Sequence, residues 1–302
     1  MGTLANKIDF MVLCTVNNAN PNGDPIDGNR PRTTYSGHGE ISDVCIKRKI
    51  RNRLQDMGES IFVQMEERCD DKKKSLKERA DDNIPKKPNN EKYTKEEYSA
   101  IACEKWIDVR SFGQVFAFSS KSSDKKKENE SKQKEKGAGV SVGVRGPVTL
   151  HQALSVSPVD VSTMQITMSV NSETTPNGEK FSSTMGSKHM VAFGLYVIKG
   201  SINVQLAEKT KFSEEDAEKI KECLRTLFVN DCSAARPDGS MEVCRVYWWK
   251  HNNKIGQFSS AKVHNTIKIT PKDGVDVPAS FDDYDICETD LEGLKPEIIE
   301  GI

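Results

Sequence analysis

Cationic side chains crowd one stretch of the chain. Asn20–Arg53, NPNGDPIDGNRPRTTYSGHGEISDVCIKRKIRNR, carries Arg30, Arg32, Lys47, Arg48, Lys49, Arg51 and Arg53. Guanidinium and ammonium groups at this density suit phosphate oxygens, with arginine able to bind two at once. Carboxylates are interleaved with them: Asp24, Asp27, Glu40 and Asp43. Such acids either ligate a divalent metal, as a nuclease would need, or cap turns and balance the neighbouring cations. The run Asn20-Asn22-Asp24 has the alternation of a calcium loop. However, Pro25 stands where that loop needs glycine, and Pro31 stands at its twelfth, acidic position. The five histidines, His38, His151, His189, His251 and His264, show no zinc spacing with cysteine or acid. There is no Walker loop, GxSxG elbow or HExxH. The types present therefore imply no cofactor and no metal. They leave one catalytic alternative, a metal-dependent RNA-processing enzyme using Asp24, Asp27 or His38.

The elements that position these cations follow from local chemistry. Pro21, Pro25 and Pro31 lack backbone donors, and Gly23, Gly28, Gly37 and Gly39 loosen the backbone. The first half of the stretch is thus a shaped loop, neither helix nor central strand. In the second half Ile46, Ile50, Leu54 and Met57 recur at helical spacing. The basic residues fall mainly off that stripe, and Gly58 suits the helix C-terminus. On spacing alone the basic face serves equally well as a polyanion grip or as a solvated helix surface.

The 302 residues suffice for one large domain or two ordinary ones, and 35% hydrophobic against 29% charged residues fits a soluble protein with exposed insertions. No apolar run approaches the roughly 20 residues of a membrane helix, and the N-terminus has no secretory pattern. The eight cysteines are scattered with no CxxC pair, which reads as reduced thiols in a cytoplasmic protein. The net charge of −1 hides an asymmetry. Residues 271–302 hold ten acids and two bases, while the rest of the chain is net +7. A basic body with an acidic tail suits nucleic acid, or head-to-tail pairing with its own copies. Phe281, Tyr284, Ile286, Leu291, Leu294, Ile298 and Ile299 argue that this tail is more than a solvating one.

Along the chain, Ile8–Val16 reads as a buried strand. Residues 59–101 are polar, with Pro85 and Pro88 breaking short helical patterns, and form an inserted subdomain. Trp106, Phe112, Phe116 and Phe118 are expected to dock that insertion onto the core. Residues 119–139 are low-complexity and lysine-rich. Val140–Pro158 is extended, with a turn at Gly146-Pro147. Val161–Val170 and Met190–Leu206 read as strands of a long hairpin whose arm spans 171–189. Ser213 opens a helix by a capping-box pattern with Asp216 three positions on. Met241–Trp249 is a strong strand, and residues 256–270 add another. Stripped of insertions, the order is βαββαβ, the α+β ferredoxin-like plan shared by RNA-recognition modules. The stacking signature of those modules is missing, so RNA contact would run through loop, helix and hairpin to the backbone.

Five stretches in order, NPNGDPIDGNRPR, SDVCIKRKIRN, DVRSFGQVF, GVRGPV and TMGSKHMVAFGLYV, carry a resemblance. Over about residues 8–249 the chain resembles the repeated backbone subunit of the type I-C CRISPR Cascade complex, the seventh Cas protein family. The resemblance implies a non-enzymatic protein with an RRM-like palm at 1–58 and 159–270. It implies a finger insertion at 59–158, a β-hairpin thumb at 171–189 and an acidic segment at 271–302. The lysine-rich 119–139 loop is a rival for the thumb. Its partners would be CRISPR guide RNA, copies of itself in a helical stack, target DNA paired to the guide, and the repeat-handle-binding, large and small Cascade subunits. The phosphate contacts it implies are Arg30, Arg32, Lys47, Arg48 and Arg51, then Arg145, Lys188 and His189. Met185 is either a wedge against a splayed base or ordinary packing.

Overall fold

A computed structural model describes residues 2–88, 91, 93–117, 141–167 and 185–302. The elements, in order, are β1 Ile8–Ala19, β2 Gly23–Asp24, β3 Arg30–Pro31, β4 His38–Ile41, α1 Asp43–Asp56, α2 Leu76–Asn83, α3 Lys95–Lys105, α4 Ile107–Phe112, β5 Gly113–Ala117, β6 Ser141–Arg145, β7 Val148–Leu150, β8 Ala153–Pro158, β9 Val161–Thr167, β10 Met185–Ile202, α5 Val204–Thr210, α6 Glu214–Arg225, β11 Met241–Lys250, α7 Ser260–His264, β12 Ile267–Pro271, β13 Tyr284–Glu288 and β14 Glu297–Glu300. The fold is mixed α+β around one large antiparallel sheet with strand order β14-β11-β1-β10-β8-β4. Strands β7 and β9 also pair with β10.

Strand β1 is central because both of its faces are apolar. Phe10, Val12, Cys14 and Val16 point into one core and Met11 and Leu13 into another, the period-two alternation of a doubly covered strand. The first core is closed by Ile46, Ile50 and Leu54 of α1 and by Ala217, Ile220, Cys223 and Leu224 of α6. Ser213 caps α6 through the predicted box: its side chain accepts the Asp216 N–H, and Asp216 accepts the Ser213 N–H. The second core is closed by the C-terminal segment, through Val263, Ile267, Tyr284 and Leu294 over Tyr247 and Trp249. The acidic 271–302 segment is thus folded onto the sheet, where its apolar residues anchor β13 and β14.

Three sequence expectations are refined. Residues 256–270 contain a short helix, α7, before the strand β12, because Ser259 caps Lys262 N–H and starts a helical turn. Trp106 and Phe116 do not dock the insertion. With Phe62, Ala102 and Val109 they form its own third core, while Ile107 and Phe112 pack on the first; Phe118 lies outside the described residues. Strands β7 and β8, in the span read as insertion, pair with β10 in the large sheet.

Strand β10 is long enough to serve several neighbours. Val191 is the first of its residues to pair with β1, at Ala19. The preceding residues, Met185–Met190, pair with β9 alone. The β9–β10 hairpin therefore extends past the end of β1, with most of β9 exposed. Among the described residues no helix is long and apolar enough to cross a membrane. All eight cysteines are free thiols, with Cys14, Cys103 and Cys223 buried. Burial raises the Cys103 thiol to about 11.

Candidate nucleic-acid interface

The loop between β1 and α1 is held in shape by its asparagines. Asn22 Oδ1 accepts both the backbone N–H and the hydroxyl of Ser42 at 2.9 Å. Ser42 in turn caps α1 by accepting the Cys45 N–H at 3.3 Å. Asn20 donates to the Asn29 carbonyl at 2.7 Å. Gly23 allows the close approach of Asn29, which a Cβ there would obstruct. Asp24 accepts the Ile26 N–H at 3.1 Å and the Arg32 guanidinium at 3.3 Å. Asn20, Asn22 and Asp24 therefore build the turn.

Helix α1 presents its cations to other parts of the same chain. Arg51 Nε donates to Asp108 at 3.0 Å, and its guanidinium lies 5.1 Å from the Phe112 ring centre. Asp108 also accepts the N–H groups of Phe62 and Val63, at 2.8 and 3.1 Å. Arg48 donates to the Val63 carbonyl at 2.8 Å. Burial first, and then the Arg51 charge, pull Arg48 below its ordinary pKa. Lys49, buried on the stripe side, pairs with Asp231. Arg53 bonds Thr226 at 3.1 Å and Asp56 at 2.9 Å. Lys47 pairs with Asp43 one turn back at 3.0 Å. An amphipathic pattern shows where such cations face, not which distant carboxylate meets them.

The loop and the hairpin meet elsewhere. Arg30 Nη1 donates to Thr163 Oγ1 at 3.2 Å, and the same hydroxyl lies 2.9 Å from His189 Nδ1. Thr163 and His189 are directly opposite in the β9–β10 register. The Arg30 backbone N–H donates to the Asp27 carbonyl at 2.9 Å, but its side chain makes no other hydrogen bond or ion pair among the described residues. Cross-strand pairing divides the hairpin into two faces. One carries Thr163, Gln165, Thr167, His189, Ser187 and Met185. The other carries Met164, Ile166, Lys188 and Met190. Met185 is exposed at 65% and accepts from Gln165 through its sulfur at 3.0 Å. That exposure sets Met185 outside the three cores. Lys188, half-buried, makes no ion pair among the described residues. Residues 171–184 of the expected thumb and the 119–139 loop lie outside the described residues.

Of the residues singled out by sequence, the structure joins Arg30 and His189 through one hydroxyl and puts Met185 and Lys188 on the same hairpin. Arg32 is two positions from Arg30 but tied to Asp24. Lys47, Arg48 and Arg51 are on α1, engaged as above. Arg145 is exposed on a different ribbon, where β6 pairs with β5. Sequence reasoning missed Thr163 and Gln165. The available signal was the polar alternation Thr163, Gln165, Thr167. Among the described residues no group of three or more His, Cys, Asp or Glu is placed to hold a metal ion.

The geometry is therefore an exposed, cationic and hydroxyl-rich surface where loop and hairpin meet, able to donate hydrogen bonds to anionic oxygens. Comparisons place it among known proteins. A curated relative from Haloferax volcanii, described as CRISPR-associated protein Cas7, is 26% identical over an alignment of 237 residues that covers 74% of this chain. The chain spans 65% of that relative's length. A chain of a CRISPR RNA-guided surveillance complex in a pre-nicking state has a TM-score of 0.44 and 16% identity, over 80% of this chain and 78% of its own. A second surveillance-complex chain has a TM-score of 0.44 and 15% identity, over 80% and 68%. The sequence model of the family CRISPR-associated protein Cas7 matches residues 6–289, and the chain belongs to that family.

Proposed function

We propose that this protein is a non-catalytic backbone subunit that holds CRISPR guide RNA by its phosphates, stacks with copies of itself along the guide, and presents the bases for pairing with target DNA in a type I-C Cascade. The observation that carries the reading is the junction of Arg30, Thr163 and His189. There a loop cation and a hairpin face meet with donor capacity left over in a chain of the Cas7 family. A guide's sequence varies, so its holder grips the backbone and leaves the bases free.

In this reading β11, β1, β10 and β8, with α1 and α6 on one face, are the RRM-like palm. The element order β1-α1-β8-β10-α6-β11 supports it. The insertion with its own core is the finger region, and the hairpin that outruns β1 is the base of the thumb. The second sheet face supports it too. Modules of this kind stack bases on exposed sheet aromatics. Here Tyr247 and Trp249 stack on each other at 5.8 Å and are buried beneath the C-terminal segment. A grip by loop and hairpin remains.

The test is assembly on RNA of increasing length, read by sedimentation or mass photometry. Bound mass that rises stepwise with RNA length is expected; one copy per RNA at every length overturns the stacking role. Incubating CRISPR-repeat RNA with divalent metal tests the non-catalytic role. Cleavage that disappears in Asp24→Ala would replace this reading with an RNA-processing enzyme.

A further inference from the structure

We infer that Thr163 is a positioning residue: its hydroxyl aims Arg30 of the loop and His189 of the hairpin at one phosphate of a bound RNA strand. The inference rests on the RNA-binding reading and adds to it a residue, a geometry and a division of labour.

The argument starts from hydrogen-bond capacity. A threonine hydroxyl has one donor proton and two acceptor lone pairs. Arginine only donates, so the Arg30 bond at 3.2 Å uses one lone pair of Oγ1. The 2.9 Å contact to His189 Nδ1 uses either the hydroxyl proton or the second lone pair. In both cases the imidazole keeps Nε2 for another partner, and the guanidinium keeps most of its five donors. The hydroxyl therefore consumes little of either group's binding capacity while fixing the two side chains relative to each other.

That fixing matters because the two groups come from separate elements. Arg30 lies in β3, a two-residue ribbon of a proline-rich loop, and His189 lies on the hairpin beyond the end of β1. No other side-chain hydrogen bond or ion pair among the described residues ties Arg30 to anything. Without Thr163 an arginine with several rotatable bonds would sample many orientations, and ordering it would fall to the RNA. A pre-ordered fork binds phosphate more tightly because less freedom is lost on contact. Thr163 is exposed and outside every hydrophobic core, so it has no packing role to explain its contacts.

The experiment uses the full chain and a labelled oligouridylate, which offers phosphates and no sequence code, with affinity measured across a salt series. Thr163→Val keeps the side-chain shape and loses the hydroxyl; Thr163→Ser keeps the hydroxyl. Thr163→Val is expected to bind about fivefold more weakly, the scale of one hydrogen bond. Its salt slope should fall by about 0.7, one phosphate contact on a single strand. Thr163→Ser should bind as wild type. The double variant Arg30→Ala/Thr163→Val should lose less than the sum of the two single losses, only the aim of His189 being left for the hydroxyl to set, since groups acting as one unit are non-additive. Wild-type binding by Thr163→Val, or strictly additive losses in the double variant, overturns the inference while the RNA-binding reading stands. Wild-type protein that does not bind oligouridylate at low salt overturns both.

Discussion

Two cationic regions of this chain look alike in sequence and are used in opposite ways. Helix α1 carries five cations within seven positions, and each is engaged inside the molecule. Arg51 meets Asp108, Lys49 meets Asp231, Arg53 meets Asp56 and Thr226, Arg48 meets the Val63 carbonyl, and Lys47 meets Asp43. The loop–hairpin junction carries fewer charges, but Arg30 and Lys188 have no carboxylate partner among the described residues. Charge density in the sequence therefore does not say which cations are left without a carboxylate partner. A cation already held by a buried carboxylate has its donors occupied, and moving it to a phosphate would strand that carboxylate. A cation held only by a hydroxyl gives up little.

The comparison breaks first, and hardest, at Asp108. It is 1% exposed and ties Arg51 to the N–H groups of Phe62 and Val63. Asp108→Ala should cost about 4 kcal/mol, because Arg51 and two backbone donors lose their acceptor. Denaturant unfolding measures it; a loss below about 1 kcal/mol would place α1 among surface helices after all.

Next comes the link between α4 and α6. Arg110 grips Asp216 with two hydrogen bonds, at 3.0 and 2.8 Å. Burial pushes the Asp216 carboxyl up, but Arg110 and the Ser213 N–H outweigh it and hold it below its ordinary value of 3.8. A depressed folded pKa contributes stability above the unfolded value and loses it as the pH falls through the folded one. Arg110→Met should cost about 3 kcal/mol near neutral pH and flatten the acid limb of the stability curve. An unchanged acid limb would mean that another carboxylate governs it.

A smaller effect, and of another kind, is expected at the junction. Arg30→Ala should weaken RNA binding about tenfold, or 1.4 kcal/mol, while stability stays within about 0.5 kcal/mol. A variant that loses stability instead would make Arg30 structural, like the α1 cations. The smallest effect belongs to Lys47, paired one helical turn away on a partly exposed face. Lys47→Ala should shift stability by no more than about 0.5 kcal/mol. Any marked loss of RNA affinity there would return α1 to the interface.

Much of the fold was legible because it is written locally. The doubly apolar run of β1, the Ile46-Ile50-Leu54 stripe of α1 and the Ser213–Asp216 box of α6 each need only near neighbours in sequence. Helix α5 escaped because its first residues continue the apolar pattern of β10. Only its cap, Asn203 accepting the Leu206 N–H at 2.9 Å, marks the change. The loop asparagines act locally too, since short polar side chains bond nearby backbone.

The sequence by itself determined most of the elements, the family motifs and the clustering of positive charge. Only the tertiary structure decided which charges are free. Asp108 is 57 positions from Arg51, Asp231 is 182 from Lys49, and Thr163 is 133 from Arg30. No periodicity spans such separations; sheet register and helix packing bring those pairs together. The same packing laid the acidic segment across the second sheet face. An ion pair or a hydroxyl relay is a property of distance in space, and at these separations the folded chain alone sets that distance.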